Sequence, residues 1–126
     1  MLHDFADGVG ERGDFTHGAC DRVLARSIEA QPIDLDTEGS AGASFFGRGT
    51  HATTRFVVDT ERQVLVGVTF VGPGVAEFVQ AATIAVVGEV PLRTIAHAVA
   101  PFPTRSELWL KFVEAYESEQ GVTLHA

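Results

Sequence analysis

The stretch Gly47-Arg48-Gly49-Thr50-His51-Ala52 has the G-x-G-x-x-[GA] spacing that lets a backbone approach a pyrophosphate. That chemistry needs the glycines to follow a strand and open a helix, whereas here they follow a loop and lead into a β-branched run. A flexible loop is the better reading. Gly72-Pro73-Gly74 does stand between a strand-like and a helix-like segment, where free N–H groups at a helix start could hold an anion. With one glycine pair and Glu77 in the first turn, a tight connection is preferred over a phosphate site. His3, His17, His51, His97 and His125 lie far apart and form no HxH, HxxxH or His/carboxylate pair, so no metal ligand set is read. His97 sits among apolar residues and reads as a helix-end histidine rather than a base. Ser44 misses the G-x-S-x-G elbow by one residue. Cys20 has no evident base beside it and reads as an ordinary thiol. Thr104-Arg105-Ser106-Glu107 has the pattern of a capping box, with Thr104 as the N-cap and Glu107 three residues on.

The 126 residues around these groups amount to one domain, with 17 acidic against 9 basic side chains and a formal charge of −8. Such a field repels a phosphate backbone, which excludes nucleic acid as a partner. A single cysteine permits no intramolecular disulfide and no CxxC pair, which fits a cytoplasmic setting. The N-terminus lacks the basic and apolar regions of a signal peptide, and no run is long enough to span a membrane.

Residues 1–18 carry no helical or strand period and read as a poorly ordered arm, leaving 19–126 as the domain. A short helix is predicted over 19–30, ended by Pro32. Ile33 and Leu35 then alternate with Asp34 and Asp36, the period of a half-buried strand. Thr53–Val58 and Gln63–Val71 are rich in β-branched and aromatic residues and read as a hairpin joined by Asp59–Arg62, the second strand covered on both faces. Val75–Val87 reads as a long helix buried nearly all round, and Pro91–Val99 as a short one. After Pro101-Phe102-Pro103, a final helix runs from the Thr104 cap to about Glu117, with Leu108, Trp109, Leu110, Phe112, Val113 and Tyr116 covering more than one stripe. Two helices this apolar call for a second surface. Phe78, Val79, Trp109, Phe112, Val113 and Tyr116 are the expected interface residues.

In order along the chain, Arg55–Asp59, Val64–Pro73, Ala76-Glu77, Ala81–Ala85 and Phe102–Glu107 resemble the C-terminal dimerisation domain of the class I pyridine nucleotide-disulfide oxidoreductases, the family of dihydrolipoamide dehydrogenase, glutathione reductase and mercuric reductase. The best match spans residues 39–116. The resemblance implies an α/β (α+β) fold with a mostly antiparallel sheet and helices packed on it. In such enzymes this domain joins two subunits and sets its Pro-Thr-x-Ser-Glu turn over the partner's flavin, which passes electrons from NAD(P)H to a cysteine pair. The family's acid/base histidine precedes the Pro-Thr and pairs with the Glu. Here Phe102 takes that position and cannot carry a proton, while Glu107 matches the Glu.

The resemblance therefore implies an isolated or truncated dimerisation domain of an FAD- and NAD(P)-dependent reductase, binding no cofactor and holding no metal alone. It would be inactive by itself, with Phe102, Pro103 and Thr104 apposed to a flavin in trans. The partner would be a second copy or a polypeptide bearing the FAD and NAD domains. Two alternatives stand beside it: one subunit of a split flavoprotein reductase, and a small module binding a phosphate-bearing ligand at Gly72–Gly74.

Overall fold

The computed structural model describes residues 28–36, 53–72 and 75–125. The arm over 1–18, the helix expected from residue 19, Cys20, Ser44 and the Gly47–Ala52 stretch fall outside those residues.

Strands β1 (Ala30–Asp36), β2 (Thr53–Asp59) and β3 (Val64–Val71) form an antiparallel sheet in the order β1-β2-β3. The hairpin β2–β3 is the expected one, with its connection at Thr60–Gln63, one residue later than the sequence placed it. Asp59 explains the shift: it is buried within β2, and its Oδ1 accepts the N–H groups of Glu61 at 3.1 Å and Arg62 at 2.9 Å, closing the turn from its first corner. Val57 opposes Gly67 while Val58 opposes Leu65, so Val66 is an extra residue that bulges β3.

β1 corrects one boundary. Pro32 does not end a helix; it lies inside the strand, opposite Val57. An edge strand tolerates a residue with no N–H to donate, because one side of it has no neighbour.

Register sorts the side chains by face. Ile33, Phe56 and Val68 stand in one row across the sheet, and Asp34, Arg55 and Thr69 in the next. The first row is buried in one hydrophobic core shared with residues of all three helices: α1 (Ala76–Val87), α2 (Leu92–Ala96) and α3 (Glu107–Gln120). The second row is polar, with Arg55 forking onto Asp34 at 2.6 and 2.7 Å. In β3 both Gly67 and Val68 are buried, but the strand is not covered on both faces along its length as its unbroken apolar run predicted: Val66 and Thr69 are half-buried and Val71 is 56% exposed, because the face that bears Asp34 and Arg55 is turned to solvent.

The core is aromatic at its centre. Phe56 and Phe112 stack with centroids 4.1 Å apart and planes 18° from parallel, and Trp109 meets Phe56 edge-on at 5.5 Å. Phe70 and Phe78 stack at 5.4 Å and fix α1 to β3. α1 is not buried all round as expected. It packs on a single sheet face through Phe78, Ala82 and Ala85, which leaves Gln80, Ala81, Ile84 and Val87 in solvent. Among the described residues, no helix is long and apolar enough to cross a membrane.

Candidate functional site

The connection between α2 and α3 carries the residues singled out by motif. α2 ends at His97, and the chain then runs through Ala98–Pro103 without a charged side chain. Val99 is 92% exposed and Phe102 78%, and the Phe102–Pro103 peptide bond is cis. Pro103 is exposed and Thr104 half-buried.

The expected capping box does not form. α3 begins at Glu107 with Ser106 before it, and neither Ser106 nor Thr104 caps through its side chain. The Thr104 hydroxyl turns back to the Pro101 carbonyl. The entering turn is wound tightly instead, with Glu107 N–H donating to the Thr104 carbonyl, Leu108 to Arg105 and Trp109 to Ser106 at 3.0–3.3 Å. Backbone carbonyls three residues back thus take the N–H groups a capping oxygen would have met.

Glu107 is the first helical residue, where the helix dipole favours an acid. Its Oε1 is buried and has no hydrogen-bond partner among the described residues. Arg105 turns the other way and lays its guanidinium over the Phe78 ring at 5.0 Å. Thr54, Phe70, Val71, Val75, Leu108 and these two residues line a cavity of about 10 Å³. That is about the room for one water and too small for a phosphate or a dinucleotide. Pro73 and Gly74, named for anion binding, lie outside the described residues.

Of the six expected interface residues, Phe78, Phe112, Val113 and Tyr116 are buried in the chain's own core, and Val79 and Trp109 are half-buried. The sheet face supplies the surface that the sequence assigned to a second subunit. The apolar side chains that do reach solvent are others: Ile84 at 61% and Val87 at 75% on α1, with Gln80 one turn before Ile84 on the same face. From Phe78 to Val87, α1 has no charged residue.

A small polar cluster went unnoticed in the sequence. Gly121 takes a left-handed conformation (φ 63°) and folds the C-terminus back along α3. His125 Nδ1 then lies 3.2 Å from Glu117 Oε1, and the His97 ring 6.1 Å from the His125 ring. The Leu124 N–H holds the Glu117 carboxyl below the usual carboxylate range against the opposing effect of burial, with His125 adding a lesser pull in the same direction as Leu124. Among the described residues, no three His, Cys, Asp or Glu side chains are grouped to hold a metal ion.

No curated protein matches the chain by sequence. The family model for the pyridine nucleotide-disulphide oxidoreductase dimerisation domain matches residues 24–112, which takes in the sheet, α1, α2, the exposed loop and the first turns of α3. With well over half its length matched in the order the folded elements follow, the chain belongs to the family of pyridine nucleotide-disulphide oxidoreductase dimerisation domains.

Proposed function

We propose that this chain is a self-association module of an FAD- and NAD(P)-dependent reductase, with no catalysis of its own. The observation that carries the reading is the outer face of α1. Two large aliphatic side chains stand in water there on a helix that is uncharged from Phe78 to Val87, in a chain of net charge −8. Two such chains repel over most of their surface and can meet only where neither carries acids. The family assignment supports the same conclusion.

In this reading flavin and nicotinamide are held by the other domains of the parent reductase. The contribution of this chain is a surface. The uncharged loop Ala98–Pro103 would lie against the flavin half of a partner, with the Phe102 ring as its most prominent aromatic group. Glu107 enters no proton transfer in this reading. Its buried oxygen has no partner among the described residues, and Phe102 cannot take the place of the family's histidine. The parent reductase would accordingly use an acceptor that needs no acid/base from this turn.

Light scattering on the purified full chain tests the reading. The wild type should run as an assembly, and Ile84→Glu, which sets a charge on each copy's α1, should lower its mass. A well-folded wild-type monomer, or a mass unchanged by Ile84→Glu, would overturn it.

A further inference from the structure

The segment after α3 is held by one residue of that helix. Gly121, at φ 63°, turns the chain back, and the Val122 N–H donates to the Glu117 carbonyl at 3.3 Å. The Glu117 carboxylate then receives the returning segment. Its Oε1 accepts the Leu124 N–H and lies 3.2 Å from His125 Nδ1. The Leu124 side chain, half-buried, packs against the core. The Glu117 side chain is itself only 20% exposed, and no Lys or Arg pairs with it among the described residues.

On its far side the segment meets α2. The His125 ring stands edge-on to the His97 ring, with centroids 6.1 Å apart. His97 closes α2, a helix of five residues, and Ala98 after it starts the uncharged loop that carries Phe102. A helix this short has little stability of its own and keeps its shape through what it packs on. Leu92 and Ile95 anchor it in the core, whereas His97, Ala98 and Val99 are exposed. The root of the loop therefore lies beyond the last core anchor, beside His125.

We propose that residues 122–125 form a strap, that the Glu117 carboxylate is its clasp, and that the closed strap restrains the end of α2 and the root of the loop over 98–103. Glu117 is then a positioning residue for that loop. Chain segments beyond the last helix fray unless tied down, and one with Val122, Thr123 and His125 exposed can open without unfolding the sheet. The strap thus sets how freely the Phe102 turn moves while the domain stays folded. What the turn meets rests on the function proposed above, but the strap is a property of the free chain.

Hydrogen exchange of the full chain tests this with Glu117→Ala, Glu117→Gln and His125→Ala. In Glu117→Ala, exchange over residues 95–100 and 122–125 should quicken several-fold while residues 53–71 keep their wild-type rates. Glu117→Gln, whose amide oxygen can still accept the Leu124 N–H, should fall between Glu117→Ala and wild type. His125→Ala should quicken 95–100 and leave Leu124 protected. Quickening at 122–125 with 95–100 unchanged would overturn the proposal, and so would equal quickening in the sheet, which marks a general loss of stability. If Glu117→Ala does not fold, the other two variants decide, and unchanged exchange over 95–100 in both would overturn it.

Discussion

The side-chain amide of Gln63 donates to the Tyr116 hydroxyl at 2.7 Å and to the Thr60 carbonyl at 2.8 Å, so one residue in the hairpin turn grips the last helix of the domain. Gln63 adopts a positive φ of 55°, uncommon for a side chain of this size, and the two hydrogen bonds hold it there. Tyr116 is fully buried, so its hydroxyl has no water to fall back on. Tyr116→Phe should cost about 1 kcal/mol, because Gln63 keeps its Thr60 bond when the hydroxyl goes. Gln63→Ala should cost more, since it strands the hydroxyl. The double variant should cost less than the two single changes together. Urea unfolding of the four proteins checks this, and full additivity would show that the bond contributes nothing.

Phe56 and Phe112 join the middle of the sheet to the middle of α3 by a stacked contact, both with no exposed surface. Removing either ring leaves a cavity that neighbours on two different elements would have to close. Phe112→Ala should therefore destabilise by about 3–5 kcal/mol. Phe112→Leu should recover more than half of that loss, because it restores most of the volume without the stack. A Leu variant no better than Ala would mean that ring stacking, rather than filled volume, dominates this core.

The hairpin was legible because its determinants are local: β-branched runs on either side of Asp59–Arg62, each a short reach from the other. Pairing of β1 with β2 was not, since Ala30 opposite Asp59 is a relation between distant segments that no periodicity in either one encodes. The same limit explains the interface residues. A helix bearing Leu108, Phe112, Val113 and Tyr116 declares an apolar face, but only the folded sheet shows that Phe56 and Ile33 already cover it. On α1 the error ran the other way: apolar residues all round predicted full burial, and Ile84 and Val87 stayed in solvent. The Phe102 turn could be found from its motif, whereas the approach of His97 to His125 depends on the reversal at Gly121.

Two helix-ending glycines separate steric crowding from backbone strain. Gly88 closes α1 with an ordinary helical φ of −78°, but a Cβ there would come within 2.9 Å of the Ile84 carbonyl oxygen. Gly121 closes α3 with open space around it and φ of 63°. Gly88→Ala should cost about 1–3 kcal/mol as backbone is pushed aside. Gly121→Ala should cost about 1 kcal/mol from the left-handed conformation alone. Gly121→Asn should be milder, because asparagine tolerates that region. At Gly88, Asn should bring no relief. Melting temperatures of the four variants check the pattern, and a benefit of Asn over Ala at both positions would refute it.

The Asp34–Arg55 pair gives the sheet's polar face a pH dependence of known sign. The bidentate hydrogen bond from Arg55, opposed slightly by burial and aided by its charge, holds the Asp34 carboxyl below the ordinary aspartate range. A group whose pKa is lowered by folding binds more protons when unfolded. Its contribution is therefore complete above the ordinary value, about pH 3.9, and is lost as pH falls through the lowered one. Both side chains are more than a third exposed, at 61% and 37%, so solvent screens the pair and its worth at neutral pH should stay under about 1 kcal/mol. Asp34→Asn should accordingly shift the urea midpoint slightly at pH 7 and progressively less as the pH falls through the lowered value, where the wild-type carboxyl becomes protonated too. High salt at pH 7 should narrow the same gap. A difference between Asp34→Asn and wild type that grew on acidification would reverse the sign and discard the assignment.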